Sequence, residues 1–320
     1  MRAFAKAQPN IALIKYWGKR DTQRNLPAVG SISITLADLY TTMSVTFDSA
    51  LPGDKLLVNG VEDKEMLARV VTCLDNAAGP GRARATVHST SNFPIAAGLA
   101  SSASAFAALV VAASAAAGQD RTREQLASIA GNASGSAARS MLGGFVELRN
   151  ATNDIELVSL CSRGDWPLDV VVAITASGPK AVGSTDAMEL SRRTSPFYDR
   201  WIEQQDADLD EARAAIENRD FARLASVAEH NCLKMHSVMW GSRPPMVYWN
   251  STTLACMEAI RDLQSSGTAV FFTIDAGPQL KAVCEPGERD KVREVLAAVP
   301  GVEDVLVSGL GDGAVQIDDE

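Results

Sequence analysis

Asn92-Phe93-Pro94-Ile95-Ala96-Ala97-Gly98-Leu99-Ala100-Ser101-Ser102-Ala103-Ser104 is a run of small residues that leads straight into an alanine-rich apolar segment, 105–117. Pro94 and Gly98 punctuate it as a loop, and Ala96, Ala97 and Ala100 carry almost no side chain. Successive backbone N–H groups can therefore close around an anion at the positive start of a helix. Ser101, Ser102 and Ser104 add hydroxyls suited to a phosphate oxygen or a magnesium ion. The stretch has neither the Gly-x-x-x-x-Gly-Lys-Ser/Thr of a P-loop nor the Gly-x-Gly-x-x-Gly of a dinucleotide site, so the two commonest nucleotide signatures are not supported. Taken alone it reads equally well as a capped, tightly packed helix, because serine before an apolar run is a routine capping signal.

Working outward, period-two alternation predicts strands at 31–36 and 41–47, with Asn59-Gly60 as a hairpin turn. A helix is expected over 62–77, and a strand over 83–89 enters the small-residue loop. Helices follow at 103–117 and at 122–130, the second opened by a capping signal at Asp120 and Thr122. A second small-residue segment, 131–139, precedes a strand at 143–148, and 169–175 reads as a buried strand. Beyond a soft boundary near 178–185 the pattern changes to amphipathic helices at 186–204, 206–217, 220–233 and 248–265. A buried strand at 270–274 and a helix at 287–298 complete it. Strands and helices without regular βαβ alternation indicate an α+β fold in two lobes, with a ligand cleft between them.

The chain has 320 residues, 46% hydrophobic and 22% charged, which is ordinary for a globular protein of one large or two smaller domains. Its longest apolar run, 106–117, is too short for a membrane span, which needs about 20 apolar residues. The N-terminus lacks the apolar core of a signal peptide, so a cytoplasmic protein without membrane contact is expected. Five cysteines, odd in number and without a Cys-x-x-Cys pair, suggest neither a disulfide framework nor a zinc site. A net charge of −9 opposes nucleic acid as a partner.

Four segments then fall into one order: Asn10-Ile11-Ala12-Leu13-Ile14-Lys15-Tyr16-Trp17-Gly18-Lys19, the 92–104 loop, Gly135-Ser136-Ala137-Ala138-Arg139-Ser140, and Thr273-Ile274-Asp275-Ala276-Gly277-Pro278. Together they resemble the mevalonate diphosphate decarboxylases of the GHMP kinase superfamily. Gly183-Ser184-Thr185, Thr194-Ser195-Pro196 and His236 with Pro244-Pro245 extend the resemblance through nearly the whole chain. It implies a two-lobed GHMP kinase fold, with an N-terminal lobe like ribosomal protein S5 domain 2 over 1–180 and a ferredoxin-like lobe over 181–320. The implied reaction is ATP-dependent decarboxylation of mevalonate 5-diphosphate, with ATP as co-substrate, Mg²⁺ as cofactor and a homodimer as the assembly.

Three tasks distribute the residues that the resemblance implies. Asp275, a carboxylate at the end of a buried strand beside a glycine, suits the base that relieves the 3-hydroxyl of its proton. In isolation Asp-Ala-Gly reads as a turn. Lys15 and Arg139 complete the catalytic set, while Asn10, Tyr16, Lys19, Arg69 and Ser184 are the expected substrate contacts. Pro94, Ala96, Ala97, Gly98, Leu99, Ala100, Ser101 and Ser102 are the expected ATP contacts, and Ser101 and Ser102 are the candidates for magnesium. Lys180 and Arg193 read as solvated side chains, His236 as a packed structural residue and Trp17 as a pocket wall.

One stretch departs from the family pattern. Many relatives have Pro-x-Asn-Ser-Ser where this chain has Pro27-Ala28-Val29-Gly30-Ser31, which removes an amide and a hydroxyl from the expected floor of the site. Decarboxylation of the monophosphate and simple 3-phosphorylation of mevalonate are the alternative reactions. A catalytically silent binding protein is disfavoured by the joint presence of Asp275, Lys15, Arg139 and the serine loop.

Overall fold

The computed structural model describes residues 1–93, 101–178 and 182–318. In chain order the first elements are β1 (Arg2–Ala7), β2 (Asn10–Ile14), β3 (Lys19–Asp21), β4 (Leu26–Pro27), β5 (Ser31–Thr35), β6 (Thr41–Asp48), β7 (Lys55–Val58) and β8 (Val61–Glu62). They are followed by α1 (Leu67–Ala78), β9 (Arg84–Ser91), α2 (Ser101–Ala116), α3 (Arg123–Ala133), a 3₁₀ turn (Ala138–Met141), β10 (Phe145–Asn150), β11 (Ile155–Cys161) and β12 (Asp169–Ile174). The remainder comprises α4 (Ser184–Thr194), α5 (Tyr198–Asn218), α6 (Phe221–Trp240), α7 (Ser251–Ser265), β13 (Val270–Ile274), β14 (Leu280–Cys284), α8 (Arg289–Ala297), β15 (Asp304–Gly309) and β16 (Val315–Ile317).

Two larger sheets build the first lobe, in the orders β16-β1-β6-β9-β7-β8 and β11-β10-β5-β2, and β3 and β4 form a separate antiparallel pair. The second lobe has one sheet, β13-β14-β12-β15, whose β-α-β-β-α-β succession is the ferredoxin-like arrangement. β16 therefore returns to pair with β1, and β12 lies in the second lobe's sheet. The α+β, two-lobed architecture agrees with the sequence reading.

Alanine dictates how the first lobe packs. α2 is apolar all round, and its small side chains let it lie close on the inward residues of β1, β6 and β9, including Ala5, Val45 and Val87. A second core joins the lobes: Ile11, Leu13, Ile32 and Ile34 pack with Val170, Val172, Phe271 and Val283, under Leu209, Ala212 and Ile216 of α5. Each fully buried side chain of this size is worth roughly 1.5–3 kcal/mol.

Local signals explain where the elements begin and end. Asn59 and Gly60 both adopt positive φ, 48° and 83°, as a type I′ hairpin requires. Val61 and Glu62 consequently pair with β7, and the helix expected from residue 62 starts instead at Leu67. Thr122 forms a reciprocal capping box with Gln125, and Asn250 forms one with Thr253, so α7 starts at Ser251 rather than 248. The expected break at 205 is absent. α4 ends at Thr194, just ahead of Ser195-Pro196, because proline cannot supply a helical N–H and restrains its predecessor. α5 then runs unbroken through Gln205, which is wholly buried. All five cysteines are free thiols.

The Val29-Gly30 departure is explained by α5. Val29 packs with Trp17, Tyr198 and Trp201, and a Cβ on Gly30 would lie 2.9 Å from Leu209 Cδ1 and 3.1 Å from the Leu148 carbonyl oxygen. α5 thus occupies the space that a family-like side chain at position 30 would fill. Gly30→Ser is expected to destabilise the protein by about 1–3 kcal/mol, read as a lowered midpoint of denaturant unfolding; an unchanged midpoint would refute the packing argument.

Candidate active site

A cleft of about 710 Å³ opens between the lobes. Its walls include Asn10, Lys15, Tyr16, Lys19, Arg69, Arg139, Ser184 and Asp275, which are all eight of the catalytic and substrate-contact candidates. Ser102 and Trp17 line it as well. Ser101 opens the described part of α2, whereas Pro94, Ala96, Ala97, Gly98, Leu99 and Ala100 lie outside the described residues, as does Lys180.

Asp275 stands one residue beyond β13, at the mouth of the turn into β14. Its Oδ1 accepts a hydrogen bond from Lys15 Nζ at 2.7 Å, and its Oδ2 lies 3.2 Å from Lys281 Nζ. Both lysine side chains are only 1% exposed, whereas Asp275 is 25% exposed and faces the cleft. Burial alone would raise the pKa of this carboxyl, but the two ammonium groups outweigh it and hold Asp275 far below the ordinary carboxylate range. The same burial lowers the Lys281 ammonium, against the opposing pull of Asp275.

Strand geometry accounts for the second lysine. Lys281 pairs with Thr273 across the β13–β14 ladder, and residues directly opposite share a face. Period two places Thr273 and Asp275 on that same face. It points at the first lobe, where the Thr273 hydroxyl donates to the Ala12 carbonyl at 3.2 Å.

Arg139, in the 3₁₀ turn, is a second buried cation. It donates through Nε to Asn10 Oδ1 at 3.2 Å and through one terminal nitrogen to Ser31 Oγ at 2.7 Å, while Asn10 Nδ2 donates to Ser140 Oγ at 2.8 Å. Burial brings the guanidinium down to about 10, with Asp275 and Tyr16 opposing, so it stays charged at neutral pH. Tyr16 lies against Gly135, where a Cβ would come within 2.5 Å of its hydroxyl. Among the described residues that hydroxyl is buried without a hydrogen-bond partner, and burial raises its pKa well above the phenolic range. A buried donor without a partner is ready for a ligand acceptor.

Lys19 and Arg69 make a separate cationic group. Lys19 Nζ donates to Thr185 Oγ1 at 3.1 Å, beside Ser184 in the first turn of α4. Arg69 donates to the Ala133 carbonyl at 2.8 Å and lies over the Phe106 ring. Burial first, and then the proximity of Arg69, lowers the Lys19 ammonium. Two cations held this close suit a multiply charged anion.

Sequence reasoning missed the groups that hold Lys15. Its backbone N–H donates to Asn231 Oδ1 at 2.7 Å, and its carbonyl accepts from Gln205 Nε2 at 2.8 Å. Asn231 Nδ2 in turn donates to Gln205 Oε1 at 3.0 Å and to Asp208, which is ion-paired with Lys234. Lys281 was missed too, although a lone lysine in the apolar run Leu280-Lys281-Ala282-Val283-Cys284 was a visible anomaly. His236 is packed, as expected: its Nε2 is 3.1 Å from the Ile274 carbonyl and 3.2 Å from Trp249 Nε1, and burial lowers it to about 3. Arg193 is exposed beside Glu189.

Comparison with known proteins gives matches across the chain. Residues 7–160 match the family described as "Diphosphomevalonate decarboxylase-like N-terminal domain", and residues 170–306 match "Mevalonate 5-diphosphate decarboxylase C-terminal domain". The diphosphomevalonate decarboxylase of Candida albicans is 32% identical, covering 92% of this chain and 87% of that protein. The phosphomevalonate decarboxylase of Haloferax volcanii is 32% identical over 100% of this chain and 98% of its own length. Among solved structures, mevalonate diphosphate decarboxylase from Staphylococcus aureus superposes with a TM-score of 0.92 at 35% identity, covering 99% of this chain and 98% of that one. The structure of MDDEF in complex with MVAPP, AMPPCP and magnesium gives 0.92 at 32% identity, covering 100% and 99%.

The Asp275 pairing predicts a pH-dependent stability. A carboxyl depressed in the folded state contributes stability that is fully present above its unfolded value and is lost as the pH falls through the folded one. Asp275→Asn leaves two buried ammonium groups without their counter-charge, and is expected to lower unfolding free energy by about 3 kcal/mol at pH 7. The gap from the unsubstituted protein should narrow below about pH 4. Denaturant titrations at both pH values test this, and equal stabilities at pH 7 would contradict the pairing.

Proposed function

The chain belongs to the diphosphomevalonate decarboxylase family, and on that premise we propose that its cleft carries out the family's reaction. Mevalonate 5-diphosphate and ATP are converted to isopentenyl diphosphate, ADP, phosphate and carbon dioxide. The observation that carries this reading is the convergence of eight expected residues, drawn from both lobes, on one cleft.

The tertiary 3-hydroxyl is a poor leaving group, so it is first phosphorylated by ATP. Asp275 accepts the hydrogen bond of that hydroxyl and orients it toward the γ-phosphorus. A carboxylate so firmly ionised is a hydrogen-bond acceptor first, and takes the proton late, as the new O–P bond forms and the bond to ADP breaks. The C3–O bond then breaks with departure of phosphate, the bond to the carboxylate carbon breaks with release of carbon dioxide, and its electron pair becomes the alkene.

Arg139, charged and fixed by Asn10 and Ser31, binds the substrate carboxylate and faces the charge that develops as it departs. Lys19, Arg69, the Tyr16 hydroxyl and Ser184 hold the 5-diphosphate. Lys15 lines the cleft beside Asp275 and offers its ammonium to the incoming anions. ATP is gripped by the 94–102 stretch at the start of α2. Mg²⁺, when bound, neutralises phosphate charge. The Ser101 and Ser102 hydroxyls are hard oxygen donors that fit it, and no group of three or more His, Cys, Asp or Glu that could hold a metal is present among the described residues.

We take 1–180 and 181–320 as the two units of the chain, with β12 and β16 each crossing to the other unit's sheet. A cytoplasmic homodimer completes the reading; no described helix is long and apolar enough to cross a membrane.

Purified protein with Mg-ATP is expected to release carbon dioxide from mevalonate 5-diphosphate. Release from the monophosphate alone, or a 3-phosphate that does not decarboxylate, would overturn the assignment. Asp275→Ala is expected to lower turnover by about 10²–10⁴-fold and to leave ATP binding within about twofold; near-normal turnover would remove Asp275 from the mechanism.

A further inference from the structure

Lys281 occupies the middle of a central strand, in register with Thr273 on one side and Val172 on the other, and its side chain is 1% exposed. An ammonium group in such a place loses its hydration and needs a counter-charge to receive it. Asp275 receives it, but the carboxylate is already paired with Lys15. The described buried charges here are thus Lys15, Lys281 and Arg139 against one carboxylate, with Cys232 and His236 facing it from α6 and both uncharged. The pairing of Asp275 alone does not require two lysines.

The two lysines differ in what else they can reach. Lys15 lines the cleft, where phosphate and carboxylate groups arrive. Lys281 is not among the described lining residues and approaches the other carboxylate oxygen from within the sheet. A carboxylate bonded at one oxygen can still turn about its own axis, whereas bonds to both oxygens from two different segments of the chain fix its plane.

We propose that Lys281 is the resident partner of Asp275, a positioning residue that keeps the carboxylate ionised and in plane while Lys15 turns its ammonium to the anionic substrate. The division of labour rests on the assignment of Asp275 and Lys15 above. It gives the fold a reason to keep a charge in a strand that is otherwise apolar. Lys281 acts through Asp275 and touches neither substrate nor nucleotide.

The test compares Lys281→Met and Lys281→Arg with Asp275→Ala in the full-length protein, using mevalonate 5-diphosphate and Mg-ATP. Lys281→Met is expected to lower kcat by about tenfold or more, with KM for both substrates within about twofold, because orientation is lost and binding is not. Its melting temperature should stay within a few degrees, since Asp275 keeps Lys15 as its counter-charge. Lys281→Arg should recover most of kcat. A Lys281→Met enzyme with kcat within about twofold of the unsubstituted protein, or one in which kcat falls only alongside a lowered melting temperature and a raised KM, would overturn the proposal. If Asp275→Ala itself retains turnover, the failure lies in the assignment of the base.

A measurement on the unsubstituted protein does not depend on any variant folding. ¹⁵N-lysine spectra are recorded before and after addition of mevalonate 5-diphosphate and Mg-AMPPCP. The Lys15 ammonium resonance should shift and that of Lys281 should stay in place. Equal movement of both, or a shift at Lys281 alone, would contradict a resident partner.

Discussion

Two buried ammonium groups meet one carboxylate at the seam between the lobes, and most of the surrounding structure exists to bring them there. Lys15 follows β2 of the first lobe, while Asp275 and Lys281 flank the β13–β14 turn of the second. Uncompensated, any one of these charges would cost several kcal/mol to bury. Their mutual pairing therefore constrains how the two lobes sit together. The shared apolar core of β2, β5, β12, β13 and β14 supplies the rigidity, and the Thr273 hydroxyl on the Ala12 carbonyl pins the same edge.

Around this pairing the polar groups are arranged in layers of support. Gln205 and Asn231, from α5 and α6, hold both backbone groups of Lys15, and Asp208 and Lys234 hold Asn231. A fully satisfied network of this kind fixes a backbone in a way that an apolar contact cannot, because each member has a directional partner. The excess of positive charge left at the seam, with Lys19 and Arg69 nearby, suits the cleft to multiply charged anions.

Much of the site was legible because its residues sit in short segments with distinctive neighbours. The turn after β13 put Asp275 beside a glycine, the segment after β2 spaced Lys15, Tyr16 and Lys19, and the small-residue run before the 3₁₀ turn led to Arg139. The supporting residues were not legible for a physical reason. Gln205 and Asn231 lie in long helices whose amphipathic pattern shows which face is buried but not what that face touches, and Lys281 acquires its meaning only from strand register. The same limit explains α5: the pattern showed helix, but only the Ser195-Pro196 break and the burial of Gln205 decide where one helix ends and the next continues. At Val29-Gly30 a departure that reads as a change in the site floor is a packing adjustment under Leu209.

In the proposed mechanism Asp275 is the group that meets the substrate's 3-hydroxyl. A crystal structure of this protein with mevalonate 5-diphosphate, AMPPCP and magnesium measures that contact directly. It should place the 3-hydroxyl oxygen about 2.6–3.2 Å from an Asp275 carboxylate oxygen, with the γ-phosphorus on the opposite side of the hydroxyl. A 3-hydroxyl bonded instead to Lys19 or Ser184, with the substrate carboxylate against Asp275, would contradict it.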